Sequence, residues 1–261
     1  MKHTILTAVL ALAVLTATAQ TQIVAHRGYH AKEGSARNTI SSLRNAQELG
    51  VYGSECDVNM TADDSLLVIH GMWHTDKNDP TRVHAQKDKY KDIRSKSCEG
   101  GNIVPTFREY LAQVKKDPKL RLVIEIKSHA TPERELQVTH EIVKQVAETG
   151  LEKQVDYIAF SSVVCDELVK IVPKGTEIAY LNGDWEPAKV KERGYTGIDY
   201  SQNVLKKHPE WIKQAHKLGL KVNVWTVDDP EAMRWFIDRK VDFLTTDDPV
   251  TALGILNEKK K

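Results

Sequence analysis

Residues 120–148 read LRLVIEIKSHATPERELQVTHEIVKQVAE and contain one complete strand-and-helix unit. The apolar run Leu120–Ile126 predicts a buried strand. The stretch Glu133–Glu148, with apolar residues three and four positions apart, predicts an amphipathic helix. The same order of strand and helix recurs along the chain, which is typical of α/β proteins with a parallel sheet. The number of repeats of this unit therefore decides the fold.

Eight segments have the strand pattern and seven have the helix pattern. The predicted strands are Ile23–His26, Gly53–Val58, Leu120–Ile126, Asp156–Phe160, Glu177–Leu181, Gly197–Tyr200, Lys221–Val227 and Val241–Thr245. The predicted helices are Thr39–Leu49, Thr106–Lys116, Glu133–Glu148, Val163–Val172, Glu186–Arg193, Pro209–Leu218 and Pro230–Arg239. Eight strands without a glycine-rich nucleotide loop favour a single-domain α/β fold, the (β/α)8 TIM barrel, over an open doubly wound sheet.

The polar segment Met72–Gly101 interrupts this alternation. It is rich in Lys and Asp and has weak periodicity. A long segment between a barrel strand and the next helix is either a functional loop over the active face or an ordinary solvated insertion. We expect a loop insertion over the active face.

Composition excludes several classes of protein. The 261 residues include 37 Lys plus Arg and 36 Asp plus Glu, which gives a net charge of +1, and 41% of residues are hydrophobic. This apolar content is sufficient for a packed core and is too high for an intrinsically disordered chain. A near-neutral chain also lacks the basic surface that nucleic-acid binding requires.

The first nineteen residues have the pattern of a signal peptide. Lys2 and His3 precede the apolar run from Ile5 to Leu15, and residues 17–19 read Ala-Thr-Ala, a small-x-small cleavage pattern. The apolar run is shorter than the ~20 residues of a membrane span, so we expect no stable membrane insertion. The sequence predicts an exported protein, periplasmic or secreted, with a mature domain of residues 20–261; an uncleaved anchor is the alternative.

The three cysteines are too few for a disulfide scaffold. Cys56, Cys98 and Cys165 form no C-x-x-C pair and have no zinc-site spacing. An oxidising compartment permits one bridge, but the sequence does not determine which two would pair. We expect all three to be structural.

Acidic residues recur at two-residue spacing on two predicted strands. Glu55 and Asp57 share one side of their strand, so both face the barrel interior while Cys56 faces the helices. Glu125 stands near the end of the next predicted strand. Three converging carboxylates form an oxygen cage suited to Ca²⁺ or Mg²⁺ rather than zinc. The sequence therefore predicts a divalent-cation site.

Histidines and fixed cations stand beside these carboxylates. His26 ends the first predicted strand and Arg27 follows it, Lys127 follows the third, and the apolar run Leu66–Ile69 leads into His70. Imidazoles transfer protons near neutral pH, and the two cations suit phosphate oxygens. Any one of these residues alone is as readily explained by a structural salt bridge. Together they indicate metal-assisted cleavage of a phosphoester.

The order of these motifs resembles the glycerophosphodiester phosphodiesterases. The resemblance covers nearly all of the predicted mature chain. Its motifs are His26-Arg27-Gly28, Asn38-Thr39, Glu55-x-Asp57, the strand before His70, Val104-Pro105-Thr106-Phe107, Glu125-Ile126-Lys127, Ala159-Phe160-Ser161, Val224-Trp225-Thr226-Val227 and Asp242–Asp248.

This resemblance implies hydrolysis of glycerophosphodiesters to an alcohol and sn-glycerol 3-phosphate on a TIM barrel, with Ca²⁺ or Mg²⁺. It also implies that Trp225 forms a wall of a glycerol pocket; packing within the barrel is the alternative role for this side chain. The resemblance further implies three groups of site residues. The groups are metal ligands Glu55, Asp57 and Glu125, acid–base residues His26 and His70, and phosphate-binding residues Arg27 and Lys127.

The chain departs from the family pattern at two positions. Arg37 precedes Asn38-Thr39 where the family usually has Glu, and Gly71 follows His70 where the family usually has Asp. We hypothesise that Glu33, on the same loop as Arg37, reaches into the site instead, and that Asn38 supports the site. The second departure could loosen the orientation of His70.

Two other functions are compatible with this pattern. A related barrel phosphodiesterase could act on phosphoinositide or on sphingomyelin- or lysophospholipid-type lipids, but the charged segment Met72–Gly101 favours a water-soluble substrate. A catalytically silent barrel used as a binding module would be expected to lose the carboxylates or a histidine, and this chain keeps both. The leaving alcohol and the oligomeric state stay open.

Overall fold

The computed structural model of this protein describes residues 20–74 and 82–258. The predicted signal peptide lies outside these residues, as does the centre of the predicted insertion. The strands within them are β1 (Gln22–Ala25), β2 (Gly53–Met60), β3 (Leu66–Val68), β4 (Met72–His74), β5 (Arg82–His84), β6 (Arg121–Ile126), β7 (Val155–Ala159), β8 (Ile178–Tyr180), β9 (Gly197–Ser201), β10 (Lys221–Trp225) and β11 (Phe243–Thr246).

Eight parallel strands close into a barrel in the order β1-β11-β10-β9-β8-β7-β6-β2, and β1 pairs with β2 to complete the circle. The predicted TIM barrel is confirmed. Strand β3 extends the sheet by pairing antiparallel to β2, and β4 pairs with β5 in a separate hairpin. Because all eight barrel strands run the same way, their carboxyl ends meet at one face, where such barrels place their active sites.

The described residues also contain ten α-helices and a short 3-10 helix at Glu99–Gly101. The helices are α1 (Ile40–Leu49), α2 (Tyr90–Arg94), α3 (Phe107–Val114), α4 (Pro132–Thr149), α5 (Ser162–Ile171), α6 (Pro187–Glu192), α7 (Gln202–Lys207), α8 (Glu210–Lys217), α9 (Pro230–Asp238) and α10 (Pro249–Glu258). The seven predicted helices correspond to α1, α3, α4, α5, α6, α8 and α9.

Helices α2, α7 and α10 were not predicted. Helix α10 packs against β1 and α9, and its start has a local signal: the Asp248 carboxylate accepts the N–H of Thr251 at 3.1 Å, with Pro249 in the first turn. Because polar residues end β11 directly before α10, the sequence pattern did not reveal where this helix begins. In α7, the hydroxyl of Ser201 caps the N–H of Val204, but six residues are too few to show a clear period.

The alternation along each barrel strand separates two environments. In β2, Cys56 is fully buried in the core between sheet and helices, as predicted, while Glu55 and Asp57 alternate with it. In β9, Ile198 and Tyr200 belong to the same core. All three cysteines are buried, and none of them, all within the described chain, forms a disulfide.

The described part of the segment 72–101 has a small core of its own. Val83, Ala85 and Ile93 are buried with Leu67 of β3, and the N–H of Ala85 donates to the carbonyl of Gly71 at 3.1 Å. The segment thus packs beside the chain that leads to His70. In residues 20–74 and 82–258, no helix has both the length and the apolar surface needed to cross a membrane.

Candidate active site

A tight turn after β1 delivers the first two predicted site residues. Gly28 has φ +78°, and a Cβ there would lie 2.5 Å from the hydroxyl oxygen of Ser42, so only glycine fits. The Ser42 hydroxyl donates to the carbonyl of Arg27 at 3.0 Å. The turn brings the N–H of Arg27 to 2.9 Å from Oε2 of Glu55. His26 and Arg27 therefore lie directly against β2.

Asn38 fixes the other end of this loop. Its Nδ2 donates to Oδ2 of Asp57 at 2.7 Å, and its Oδ1 accepts the backbone N–H of Asp57 at 3.1 Å. The N–H of Asn38 also donates to the carbonyl of Arg27 at 3.0 Å. Its φ of +59° is uncommon for a residue other than glycine, and Asn tolerates it better than most. The loop is held to the strand that carries two of the carboxylates.

The predicted carboxylates form one buried cluster. Glu55, Asp57 and Glu125 are 3%, 0% and 8% exposed, and each offers an oxygen within 4.8 Å of the others. Arg27 Nε lies 3.0 Å from Oδ2 of Asp57. Lys127 Nζ lies 2.5 Å from Oε1 of Glu125 and 3.3 Å from Oδ1 of Asp57. Two cations do not balance three buried carboxylates, so the ionised cluster retains negative charge.

The cluster's oxygens and pKa values show the same imbalance. Oε1 of Glu55 is buried without a hydrogen bond or ion pair to any described residue, whereas Oε1 of Glu125 and Oδ1 of Asp57 share Lys127 Nζ. Burial and repulsion from Asp57 raise the pKa of Glu55 well above its usual range and that of Glu125 to about 7. Burial alone would also raise the pKa of Asp57, but the charges of Lys127 and Arg27 lower it to about 2. Such a hard-oxygen set fits a divalent cation.

A carboxylate at the end of β11 orients His26. Nδ1 of His26 lies 2.7 Å from Oδ1 of Asp247, and Nε2 lies 4.0 Å from Oε2 of Glu55. Nε2 of His30 also lies 3.0 Å from Oδ1 of Asp247. Burial alone would raise the pKa of Asp247, but hydrogen bonds from both imidazoles lower it. A charged Asp247 holds the His26 ring with Nε2 towards the acidic cluster.

Arg37, the first departure from the family pattern, and its hypothesised substitute Glu33 both lie outside the acidic cluster. Arg37 is exposed, and its Nη2 lies 3.3 Å from Oδ2 of Asp247, away from the acidic cluster. Glu33 is exposed too, and no hydrogen bond or ion pair joins it to the cluster within the described chain. The structure therefore does not bring Glu33 together with the other candidates, and its role stays a prediction.

His70 stands at the mouth of the cleft, two residues after β3. Although the residue is exposed, loss of water around its imidazole lowers its pKa to about 4, and the charges of Lys127 and Arg27 act in the same direction. The carboxylate of Asp57 opposes this shift without cancelling it. His70 is therefore neutral near pH 7.

An open cleft with two unlike walls lies among these residues. One wall is charged and the other is mainly apolar. The charged wall comprises His26, Arg27, Glu55, His70, Glu125 and Lys127. The opposite wall comprises Ile158, Phe160, Leu181, Asp199, Trp225, Thr226 and Thr245. Trp225 is held there by its Nε1, which donates to the carbonyl of Asp199 at 2.9 Å, and by the edge of Phe160.

Sequence reasoning missed two polar residues of this region. Asp247 lies in the quoted stretch Asp242–Asp248 but received no role; its position just after a barrel strand was the available signal. Asp199 lies inside β9, where it alternates with the core residues Ile198 and Tyr200, and this period of two was its signal.

Comparisons with known proteins agree with this geometry. Residues 26–251 match the model of the Glycerophosphoryl diester phosphodiesterase family. A crystal structure of a glycerophosphodiester phosphodiesterase from Parabacteroides distasonis is 43% identical, has a TM-score of 0.87, and the match covers 94% of this chain and 100% of that one. A glycerophosphodiester phosphodiesterase of Caldanaerobacter subterraneus subsp. tengcongensis is 26% identical over 249 residues, which are 92% of this chain and 99% of that protein.

A more distant structure shows the same fold. A phosphodiesterase of Oleispira antarctica, solved in complex with the product sn-glycerol-3-phosphate, is 16% identical with a TM-score of 0.75, and the match covers 92% of this chain and 97% of that one. Because the family model spans most of the barrel and its acidic cleft, the chain belongs to the glycerophosphodiester phosphodiesterase family and is a phosphoric diester hydrolase.

Proposed function

We propose that this protein is an exported enzyme that hydrolyses water-soluble glycerophosphodiesters to an alcohol and sn-glycerol 3-phosphate, with Ca²⁺ or Mg²⁺ as cofactor. One observation carries the proposal. Glu55 and Glu125, two fixed cations and two imidazoles line a single cleft, and the buried Asp57 lies directly behind them within the same acidic cluster. Each of these groups has a task in the cleavage of a phosphodiester.

The carboxylates Glu55, Asp57 and Glu125 are the residues that would hold the cation. The unpaired Oε1 of Glu55 and the excess of buried carboxylates over cations support this assignment, because buried carboxylate oxygens are normally hydrogen-bonded or bound to a cation. When bound, a divalent cation supplies positive charge to phosphate oxygens and acidifies a nearby hydroxyl. Arg27 and Lys127 lie at the same edge of the cleft and would bind phosphate oxygens by charge-assisted hydrogen bonds.

The two histidines would exchange protons on opposite sides of phosphorus. We assign the first step to His70, which is neutral near pH 7 and can accept the proton of the attacking glycerol hydroxyl. His26, oriented by Asp247, would then protonate the leaving alcohol through Nε2. Water opens the resulting cyclic phosphate with the two roles reversed, so each histidine returns to its starting state.

The described part of segment 72–101 supports a soluble substrate rather than a lipid. Its apolar side chains Val83, Ala85 and Ile93 are buried in their own small core. A lipid-binding loop would instead expose such residues toward the membrane surface. The exposed large apolar residues of the described chain are scattered over separate elements, namely Ile103, Val169, Leu218 and Val250.

The decisive experiment measures release of sn-glycerol 3-phosphate from a panel of glycerophosphodiesters, with and without chelator, and after addition of Ca²⁺, Mg²⁺ or Mn²⁺. We expect chelation to abolish turnover and one of these cations to restore it. Activity that survives thorough chelation would contradict the metal assignment. Glu33→Ala tests the remaining hypothesis in the same assay: full activity with unchanged cation affinity would reject a role for Glu33.

Export is tested separately on the host cell. The mature chain is expected to begin near Gln20 and to lie outside the cytoplasm, as mass spectrometry of fractionated cells would show. Intact Met1–Lys261 found only in the soluble cytoplasm would contradict export.

A further inference from the structure

A buried carboxyl group lies at the floor of the cleft, outside the acidic cluster. Asp199 is 1% exposed and lines both the cleft and a second, narrow cavity below it, toward the amino ends of the strands. It is not one of the three residues whose oxygens could share a cation. The proposed chemistry leaves Asp199 without a task.

Only one oxygen of Asp199 has a hydrogen-bond partner within the described chain. Oδ2 accepts Nδ2 of Asn223 at 3.0 Å, while Oδ1 is buried without a hydrogen bond. Asn223 is itself fixed, because Nδ2 also donates to the hydroxyl of Thr245 at 2.9 Å and Oδ1 accepts the N–H of Val224 at 2.9 Å. The network therefore holds the carboxyl group in place and leaves one oxygen to bind another group.

The surroundings of Asp199 define the chemistry of that group. Ile158, Leu181 and Trp225 present apolar surface on the same wall of the cleft. Burial raises the pKa of Asp199 to about 7, so near neutral pH the group can donate or accept a hydrogen bond. A hydroxyl on a short carbon chain matches both features, because its C–H groups contact the apolar wall and its oxygen binds the carboxyl.

We propose that Asp199 is a specificity-determining residue that binds the non-reacting hydroxyl of the substrate's glycerol moiety. This inference rests on the proposed function. In that reaction one glycerol hydroxyl attacks phosphorus at the charged wall, and the other hydroxyl needs a partner when it leaves water. A buried group built to bind a hydroxyl discriminates against the analogue that lacks it, since that analogue leaves the group unpaired.

The test compares two substrates that differ by this hydroxyl alone. One is a glycerophosphodiester, and the other is the matching diester of propane-1,2-diol, which keeps the attacking hydroxyl and lacks the second one. We expect the parent enzyme to favour the glycerol substrate by ~10-fold to ~100-fold in kcat/KM, mainly through KM. Equal kcat/KM for the two substrates in the parent enzyme overturns the proposal without any variant.

Two variants localise the effect. Asp199→Leu should remove the preference by lowering kcat/KM for the glycerol substrate alone, and Asp199→Asn should keep part of it because an amide still binds a hydroxyl. Tyr52→Phe, in the lower cavity, is the matched control and should keep the full preference. A folded Asp199→Leu enzyme that keeps the parent's preference overturns the proposal.

Cation binding and parent activity separate the remaining explanations. The rise in Tm caused by Ca²⁺ or Mg²⁺ should be the same in the parent and in both Asp199 variants; a reduced rise would show that Asp199 acts through the acidic cluster, against the proposal. A parent enzyme that hydrolyses neither substrate rejects the proposed function itself, whereas a parent that hydrolyses both equally rejects only the role of Asp199.

Discussion

At the amino end of the barrel, Arg121 and Asp156 form a two-pronged ion pair, whereas at the carboxyl end three carboxylates share two cations. Arg121 Nε donates to Oδ2 of Asp156 at 2.8 Å, and Nη2 binds the other oxygen and the carbonyl of Val155. Both oxygens of Asp156 are thus paired. In the acidic cluster, Oε1 of Glu55 stays buried without a partner among the described residues, and Glu125 and Asp57 share the single ammonium of Lys127.

This difference in pairing distinguishes charged groups that stabilise the fold from charged groups that can bind a ligand. A buried ion pair with both partners satisfied needs nothing further, while incomplete pairing of buried groups persists where function requires it. The two ends follow the general division of TIM barrels, in which the carboxyl face carries chemistry and the amino face carries stability. Four predictions test this division.

The largest expected effect is on the histidines of the carboxyl face. His26→Ala and His70→Ala should each lower kcat by ~10²–10⁴-fold, because each removes a proton carrier, while cation affinity stays near the parent value. Steady-state kinetics and cation titration measure both. A nitrophenyl diester, whose leaving group needs no proton, should rescue His26→Ala only; rescue of His70→Ala alone would reverse the assigned roles.

His140→Ala is the control for these variants, because His140 is exposed on α4 and contacts Glu167 rather than the cleft. It should leave kcat unchanged. Loss of cation binding in either cleft variant would show that the histidine is a metal ligand and contradict the division of labour.

The second prediction concerns the residue that orients His26. Asp247→Asn should lower kcat by ~10-fold to ~100-fold with little change in KM. A neutral amide no longer holds the His26 imidazole, as the carboxylate does, with Nε2 towards the acidic cluster. Arg37→Ala is the control, since it removes a neighbour of Asp247 and leaves the contact with His26 intact. Equal losses in the two variants would show that Asp247 acts through its contact with Arg37 and not through His26.

The third prediction is a pH dependence of the cation-free protein. Folding raises the pKa of Glu125 from 4.5 to about 7, so the stabilising protonated form is fully present below pH 4.5 in both states. Between these values the unfolded chain releases the proton and the folded chain keeps it until pH 7. Glu125 by itself should therefore make the free energy of unfolding fall as pH rises from about 4.5 to about 7, by on the order of 3 kcal/mol, while the lowered pKa of His70 acts in the opposite direction over the same range.

Urea unfolding of the parent and of Glu125→Gln in chelator, at pH 5 and at pH 7.5, isolates this contribution. The parent should lose stability relative to Glu125→Gln between the two pH values, and added cation should restore the parent at the higher pH. A stability difference between parent and variant that is the same at both pH values would contradict the imbalance inferred for the cluster.

The smallest expected effect is at the amino end. Arg121→Leu should lower the free energy of unfolding by ~1–3 kcal/mol, because Asp156 loses its partner, while kcat/KM stays at the parent value. Arg108→Leu breaks an exposed pair with Glu148 and should cost less than ~1 kcal/mol. A loss of activity in folded Arg121→Leu would contradict the assignment of stability to the amino face and chemistry to the carboxyl face.

The barrel and its acidic cluster were predictable because both follow from a period of two along buried strands. Bringing Glu55, Asp57 and Glu125 together needed only the assumption that successive parallel strands of the barrel are neighbours, and β2 does pair with β6, with residue 57 opposite residue 125. The contact between His26 and Asp247 spans 221 positions and exists only because β1 pairs with β11 to close the barrel. Local periodicity carries no information about that closure.

The loop between β1 and α1 was less predictable for a different reason. Arg27 and Asn38 both adopt positive φ, and neither is the glycine that would signal such a conformation. Their backbone geometry decides that Arg37 turns toward Asp247 while Asn38 reaches Asp57. The sequence does not contain that geometry, which is why it suggested Glu33 as a substitute carboxylate on this loop.

The double hydrogen bond between Asn38 and Asp57 has a consequence for engineering this enzyme. A loop that carries His26 and Arg27 is usually treated as an exchangeable module on a rigid scaffold. Here the loop and β2 depend on each other, because the Asn38 amide that anchors the loop also orients Asp57, one of the proposed metal ligands. Transplanting residues 26–39 from a relative without its matching strand would alter both parts at once, so the two must be exchanged as a single unit.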